Sequence, residues 1–229
     1  MFLPLTSAAI PAFGVLAYYS PYAARLLAVR GLRDRLRRDR MLVLTFDDGP
    51  SRSLTPELLK LLNSYGAKAS FFMLGRNVRR NADIAKAVAQ EGHDVGCHSE
   101  EHLNAWKVSP WKAVADIDAG YRQLSPWVPA NGMFRPPHGK MTLPTYLAVH
   151  NRKAPISWWT LDSGDTRTPL PRPQEVVADV VREGGGIVLM HDLDRSPERN
   201  GFVLETTSLL LRAAATESIA VRRLSEIRH

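Results

Sequence analysis

From residue 41 onward, the chain alternates between short continuous apolar runs and longer segments with helical periodicity. Short apolar runs are typical of buried strands, and apolar positions three and four residues apart predict amphipathic helices. The predicted strands are residues 41–46, 68–74, 93–98, 132–137, 154–162, 186–192 and 218–226. The predicted helices are residues 53–66, 81–92, 109–125, 142–152, 172–185 and 202–217.

Strands that alternate with helices predict parallel βα units. The number of units and the chain length favour an α/β barrel over a two-domain open sheet. In such barrels the chemistry lies at the C-terminal ends of the strands. Polar side chains cluster at these predicted strand ends: Asp47, Asp48, His98, Arg135, residues 162–165 and His191.

The N-terminal 40 residues differ from the rest of the chain. Residues 1–24 carry no charged side chain and are long enough to cross a bilayer, although three prolines weaken a straight helix. Residues 25–40 follow with seven Arg and two Asp. A cleaved signal peptide fits poorly, because the basic residues come after the apolar stretch.

Two interpretations of residues 1–40 remain open. In one, the apolar part packs on the outside of the catalytic domain, which would occupy residues 41–229. In the other, which we favour, the segment associates with a membrane surface. The positive-inside rule then places the catalytic domain on the cytoplasmic face. The cell envelope and a soluble location are the alternatives.

Composition narrows the function classes. The net charge of +7 is concentrated in residues 25–40, which lack the interleaved aromatic residues of single-strand nucleic-acid binders. We therefore expect no nucleic-acid partner. The single Cys97 excludes a disulfide within the chain, and we interpret it, with Trp158 and Trp159, as a packing residue. Stacking of a tryptophan on a sugar is the alternative.

Adjacent buried carboxylates at Asp47 and Asp48 would repel each other unless something compensates their charge. A metal ion would do so. His98 and His102 lie four residues apart, so both imidazoles share one face if the segment is a helical turn. With Asp48 they form a two-histidine, one-carboxylate set. Catalytic zinc sites and non-haem iron oxygenases both use such sets, so the ligands alone do not choose the reaction.

The remaining polar residues favour hydrolysis. If Asp48 binds the metal, Asp47 stays free to act as a general base on water. His191, from a late strand, is a candidate general acid on the opposite side. A base, a metal ion and an acid are the groups that hydrolysis of an amide or ester requires. An oxygenase does not need a base and an acid on either side of its metal. Taken singly, each residue has an interpretation without function. Asp48 could be part of a turn, His191 could be a core histidine, and Arg135 could form a structural ion pair.

Five segments in order resemble the motifs of the polysaccharide deacetylase (NodB-like) family, carbohydrate esterase family four. They are TFDDGP, HSEEH, RPPH, DSGDT and IVLMH, and the resemblance as a whole covers residues 41 to about 226. The first two match closely, and the other three match mainly by order and spacing. The resemblance implies a distorted (β/α)7 barrel that removes N-acetyl groups from an amino sugar.

The resemblance also implies residue roles. Asp47 would be the catalytic base, oriented by Arg135, and His191 the acid, tuned by Asp165 with Asp162 in reserve. Asp48, His98 and His102 would hold one divalent ion, preferably zinc, with cobalt, manganese or nickel as alternatives. Three further residues would contact substrate: Pro137, His138, whose backbone N–H would help hold the oxyanion, and Leu189.

Two positions depart from the family pattern. His138 stands where the third motif usually has an aromatic residue, and Thr166 where the fourth usually has tryptophan. Neither supplies a ligand or a proton, so the departures concern the substrate rather than the chemistry. The sequence therefore predicts a metal-dependent deacetylase of an N-acetylated glycan or glycolipid. A lipid-linked sugar deacetylase or deformylase is one alternative, and a non-catalytic glycan-binding barrel is the other.

Overall fold

A parallel β-sheet forms the centre of the molecule, of which this computed structural model describes residues 9–227. Its strands are β1 Met41–Asp47, β2 Ser70–Met73, β3 Asp94–Cys97, β4 Leu161–Asp162, β5 Gly186–His191 and β6 Ala220–Val221. The sheet order is β3-β2-β1-β5-β4, and β6 pairs with the start of β1. The predicted α/β class with a parallel sheet is confirmed.

Helices cover this sheet. They are α1 Ala9–Arg38, α2 Leu54–Ser64, α3 Gly75–Arg80, α4 Ala82–Gln90, α5 Pro110–Leu124, α6 Leu143–Asn151, α7 Pro173–Glu183 and α8 Pro197–Thr216. Short 3₁₀ turns lie at Pro137–Gly139 and Leu224–Glu226. The sequence pattern did not predict α1 or α3 as helices. It also placed the start of α8 at residue 202, five residues too late. The helix begins at Pro197, with Ser196 as its N-cap.

An irregular segment closes the sheet into a distorted barrel. Phe134 forms isolated bridges with Cys97 on one side and Ile156 on the other. The segment that contains Ile156 continues into β4, which pairs with β5 at the opposite edge of the sheet. Phe134 and residues 154–162 together therefore join the two edges of the sheet.

Prolines explain why two predicted strands are reduced to bridges. Pro136 and Pro137 follow Phe134, and Pro155 precedes Ile156, so these positions have no backbone N–H for a strand ladder. The last predicted strand is also short. Only Ala220–Val221 pair, and the chain then turns into the 3₁₀ segment.

Helix α1 packs along the outside of the barrel and includes Pro21. Leu36 is fully buried between the helix and the sheet, and Leu32 packs against the same apolar cluster. Within residues 9–227, no helix combines the length and the apolar character that crossing a membrane requires. Residues 1–8 of the predicted apolar segment lie outside the described residues.

Candidate active site

The two adjacent carboxylates lie where β1 ends. Residues 42–47 are all buried, because β1 pairs with both β2 and β5. Asp47 is the last strand residue, and its register partner on β5 is His191. Asp48 takes a left-handed backbone conformation with φ of 72°. This conformation is uncommon outside glycine, and in proteins it clusters at functional sites.

His98 and His102 meet Asp48 from the end of β3. The Nε2 atoms of His98 and His102 lie 3.6 Å and 3.4 Å from Asp48 Oδ1. The segment between the two histidines is not a helical turn. Ser99 and His102 both have positive φ, 70° and 60°, so an irregular bend brings the rings together.

Asp116 on α5 holds this bend in place. Its Oδ1 accepts the backbone N–H of Glu101 at 2.8 Å, and its backbone oxygen accepts that of Glu100 at 3.1 Å. His102 N–H donates to Ser99 Oγ at 3.1 Å. Asp116 is buried and positions the loop that carries His102, yet sequence reasoning missed it, because it lies in the middle of a predicted helix.

The side chains of Asp48, His98 and His102 fit a divalent cation. One ligand atom from each lies within 4.8 Å of the others. Asp48 Oδ1 is buried and has no hydrogen-bond partner among the described residues. An orphaned buried carboxylate oxygen is costly unless a cation compensates it.

The protonation state of His98 suits a ligand. Burial lowers the pKa of His98 to about 3, which keeps the imidazole neutral. Its Nδ1 lies 2.7 Å from the backbone oxygen of Arg135 and must donate to that carbonyl. This hydrogen bond fixes the tautomer and leaves the Nε2 lone pair facing Asp48.

Asp47 differs from Asp48 in its partner Arg135, although Asp47 Oδ2 also lies 3.7 Å from His98 Nε2. The Arg135 guanidinium is fully buried and donates to Asp47 Oδ1 and Thr45 Oγ1, each at 2.8 Å. It also lies over the Phe72 ring, 4.1 Å from the centroid. Burial raises the pKa of Asp47, and the charge of Arg135 opposes that shift only in part. A nearby divalent cation would lower the Asp47 pKa again.

On the opposite side, Asp165 holds His191. His191 Nδ1 lies 2.9 Å from Asp165 Oδ1, and the backbone N–H of His191 donates to Asp165 Oδ2 at 2.8 Å. Burial alone would lower the pKa of His191, but its hydrogen bond to Asp165 and the negative charge of that residue outweigh burial. They raise the His191 pKa to about 9. His191 therefore carries a proton at neutral pH.

Of the two aspartates considered as partners for His191, only Asp165 contacts the imidazole. Asp162 is exposed and instead accepts the backbone N–H of Gly164 at 2.8 Å. Arg195 donates to Asp165 Oδ2 at 2.7 Å. Sequence reasoning missed Arg195. Its only signal is its position four residues after His191.

The three predicted substrate contacts lie around the mouth and floor of the site. His138 is exposed at the rim, with its ring 4.4 Å from that of His102. Pro137 beside it is buried. Leu189 lies two residues before His191 on β5, so both side chains face the same side of the sheet, and it is 4 % exposed. Their contact with substrate stays a prediction.

A barrel with these groups at one mouth has the fold and side chains of a hydrolase. A sequence profile described as polysaccharide deacetylase matches residues 34–154. The chain belongs to the polysaccharide deacetylase family, carbohydrate esterase family 4, and is a carbohydrate deacetylase of that family. The resemblance predicted from the five motifs is confirmed.

Several characterised relatives are similar in sequence. A peptidoglycan-N-acetylglucosamine deacetylase of Bacillus cereus is 34% identical over 190 residues, covering 76% of this chain and 89% of the relative. Its counterpart from Listeria monocytogenes is 32% identical over 83% of this chain but only 40% of its own length. A chitooligosaccharide deacetylase of Rhizobium leguminosarum is 30% identical over 74% of this chain and 75% of the relative.

Solved structures share the fold. A peptidoglycan N-acetylglucosamine deacetylase matches with a TM-score of 0.72 at 24% identity, covering 81% of this chain and 86% of the other. A pseudoenzyme of the same family from Bacillus anthracis matches with a TM-score of 0.70, also at 24% identity, over 82% of this chain and 65% of its own. Because a pseudoenzyme shares this fold, the fold alone does not establish turnover.

The predicted location at the cytoplasmic face of a membrane is wrong. No helix among residues 9–227 has the length and apolar character to span a membrane. Two of the relatives are named for peptidoglycan, a polymer of the cell wall, which points away from the cytoplasmic face.

Proposed function

We propose that the chain is a divalent-metal-dependent N-deacetylase that acts on N-acetylglucosamine units of a glycan chain and releases acetate. The observation that carries the proposal is the different partners of two carboxylates at one strand end. Asp48 contacts both His98 and His102, whose lowered pKa values keep the imidazoles neutral. Asp47 lies 3.7 Å from His98 but not beside His102, and its other oxygen is bound by Arg135. A metal-dependent hydrolase needs one carboxylate as ligand and another as base.

The chemistry divides among the side chains. A divalent cation held by Asp48, His98 and His102 would polarise the acetyl carbonyl and lower the pKa of a water; two imidazoles and a carboxylate suit zinc. Asp47 takes the proton from the attacking water. The backbone N–H of His138 donates to the oxygen that gains negative charge. His191 then gives its proton to the departing amine, which leaves acetate and a free amino sugar.

The names of the relatives support the choice of substrate. Peptidoglycan and chitooligosaccharides both contain N-acetylglucosamine, and each names a relative that is at least 30% identical to this chain. No contact of the described residues favours a lipid-linked sugar over these chains. The competing proposal is a non-catalytic glycan-binding barrel, and the filled positions of the base, the acid and the three metal ligands argue against it.

Acetate release tests both proposals. The purified chain should release acetate from N-acetylglucosamine oligomers or from peptidoglycan, lose that activity with a chelator, and recover it with added zinc, cobalt, manganese or nickel. His191→Ala should bind the same oligomers and turn over far more slowly. Oligomer binding without acetate release from the parent protein at any metal would overturn the enzymatic proposal and favour the binding barrel.

A further inference from the structure

The loop that carries His138 has an unusual backbone. His138 and Gly139 both lie in the left-handed region, with φ of 56° and 62°. A Cβ on Gly139 would collide with Arg25 Nη1 and with the ring of Trp159, so only glycine fits there. The left-handed conformation is strained at His138, which is not glycine, and it persists only if the surroundings hold it.

Arg25 of helix α1 is the side chain that holds this turn from outside. Its Nη1 donates to the backbone oxygen of Gly139 at 2.8 Å. The guanidinium also packs on two rings, 5.0 Å from the centroid of Trp158 and 4.5 Å from that of Trp159. A hydrogen bond and two aromatic contacts fix the planar guanidinium in position and orientation.

The same contacts reach the catalytic carboxylate. Trp159 lies between two guanidinium groups, because the Arg135 side chain is 5.8 Å from the centroid of the same ring. Arg135 donates to Asp47. Helix α1 is therefore connected by packed side chains to both the His138 loop and the predicted base. Arg25 precedes residues 34–154, where the family profile matches, so the profile does not account for it.

We propose that Arg25 is a positioning residue of the active site, which aims the backbone N–H of His138 at the oxyanion by fixing Gly139. This proposal rests on the proposed function. The N–H of His138 has no hydrogen-bond acceptor among the described residues, as a donor reserved for substrate requires. Oxyanion donors act only when they are correctly placed, and a displacement of about 1 Å can cost about 10²-fold in rate.

Arg33 provides a matched control on the same helix. Its Nη2 donates to the backbone oxygen of Thr160 at 2.9 Å, so it also ties α1 to the barrel. Its acceptor, however, belongs to the segment before β4 and not to the His138 loop. Loss of either arginine removes one hydrogen bond between helix and barrel, and only the loss of Arg25 frees the loop.

The experiment compares Arg25→Ala, Arg25→Lys and Arg33→Ala in the full chain. For Arg25→Ala we expect kcat on an N-acetylglucosamine oligomer to fall about 10- to 100-fold, with KM and bound metal close to the parent values. Arg25→Lys keeps the charge without the stacking, so it should fall between Arg25→Ala and the parent, and it serves if Arg25→Ala misfolds. Arg33→Ala should retain the parent kcat. Equal losses in Arg25→Ala and Arg33→Ala would mean that α1 merely docks, and would overturn the proposal.

A second readout needs no turnover. The backbone amide signal of His138 in a ¹H–¹⁵N spectrum should shift in Arg25→Ala and stay in place in Arg33→Ala. An unmoved His138 amide in Arg25→Ala would overturn the positioning role. If the parent protein releases no acetate while the amide shifts as expected, the deacetylase proposal fails and the structural role of Arg25 stands.

Discussion

The two sides of the site hold their histidines in opposite protonation states. His98 and His191 are both largely buried, and in both rings Nδ1 makes a short contact, at 2.7 Å and 2.9 Å. The partner of His98 is a neutral carbonyl, so burial decides and the pKa falls to about 3. The partner of His191 is the carboxylate of Asp165, and the pKa rises to about 9. The acceptor at Nδ1 thus separates the proposed ligand His98 from the proposed acid His191.

The largest expected effect comes from removing His98, the proposed ligand in this comparison. His98→Ala should lose the divalent ion and, with it, several kcal/mol of transition-state stabilisation, so the rate should fall at least about 10³-fold. Metal content measured on the purified protein checks the cause. His150→Ala removes an exposed histidine and serves as the control. Stoichiometric metal in His98→Ala would contradict the ligand assignment.

The next effect separates the two neighbouring carboxylates. Asp47→Asn should keep the ion and lose general-base help, which is worth about 10²–10⁴-fold in rate. The change also leaves the buried Arg135 without its charged partner, which costs about 3–5 kcal/mol of stability. Activity must therefore be normalised to folded protein by a thermal melt. Loss of the metal in Asp47→Asn would mean that Asp47 is a ligand and not the base.

The pH dependence of kcat/KM tests the proposed role of His191 as the acid. A general acid must be protonated, so kcat/KM should hold through neutral pH and fall as the pH rises past about 9, where His191 loses its proton. In Asp165→Asn the supporting charge is gone and burial dominates, so this limb should move down toward the ordinary value of about 6.5. Asp162→Asn, at the exposed aspartate, is the matched control. Identical alkaline limbs in the Asp165→Asn and parent proteins would exclude His191 as the acid.

The smallest expected effect is an upward move of the alkaline limb, opposite to the downward move expected for Asp165→Asn. Arg195 donates to Asp165 at 2.7 Å and places a second positive charge near the protonated His191. Arg195→Gln removes that repulsion, so the alkaline limb should move up, by less than about one pH unit. The same kcat/KM profiles measure it. A downward shift would mean that Arg195 supports His191 by orienting Asp165 and not by its charge.

Sequence reasoning reached the residues of the strand ends, because a parallel barrel places them at one mouth regardless of the path between them. It identified Asp47, Asp48 and His191 from their positions after apolar runs. It could not foresee how His98 and His102 meet, since the spacing of four is compatible with a helical turn and the actual bend depends on Asp116 of α5. Tertiary contacts override local spacing at such a site.

The N-terminal helix shows what composition alone does not resolve. Residues 1–24 are uncharged, and composition alone cannot tell a membrane-facing surface from one that packs on the protein's own barrel. Helix α1 is tied to the barrel further along, by Arg25 at Gly139 and by Leu36 at the sheet, and these contacts join residues far apart in sequence. Hydropathy carries no information on such contacts, so the structure was needed to find them. Association of the apolar segment with a membrane surface stays a prediction.

The pairing of β1 with β5 has a consequence for the order of folding. Strands β1, β2 and β3 lie side by side in the sheet. The proposed metal ligands Asp48, His98 and His102 follow β1 and β3 and so lie in the first half of the chain. On its other side β1 pairs with β5, which comes much later in the chain. The Thr45 hydroxyl donates to the backbone oxygen of Val188, which is 143 residues away in sequence. Such long-range pairings form slowly, and N-terminal segments leave the ribosome first. During synthesis, a nascent chain is therefore expected to assemble its metal-binding half before His191 exists to complete the acid half.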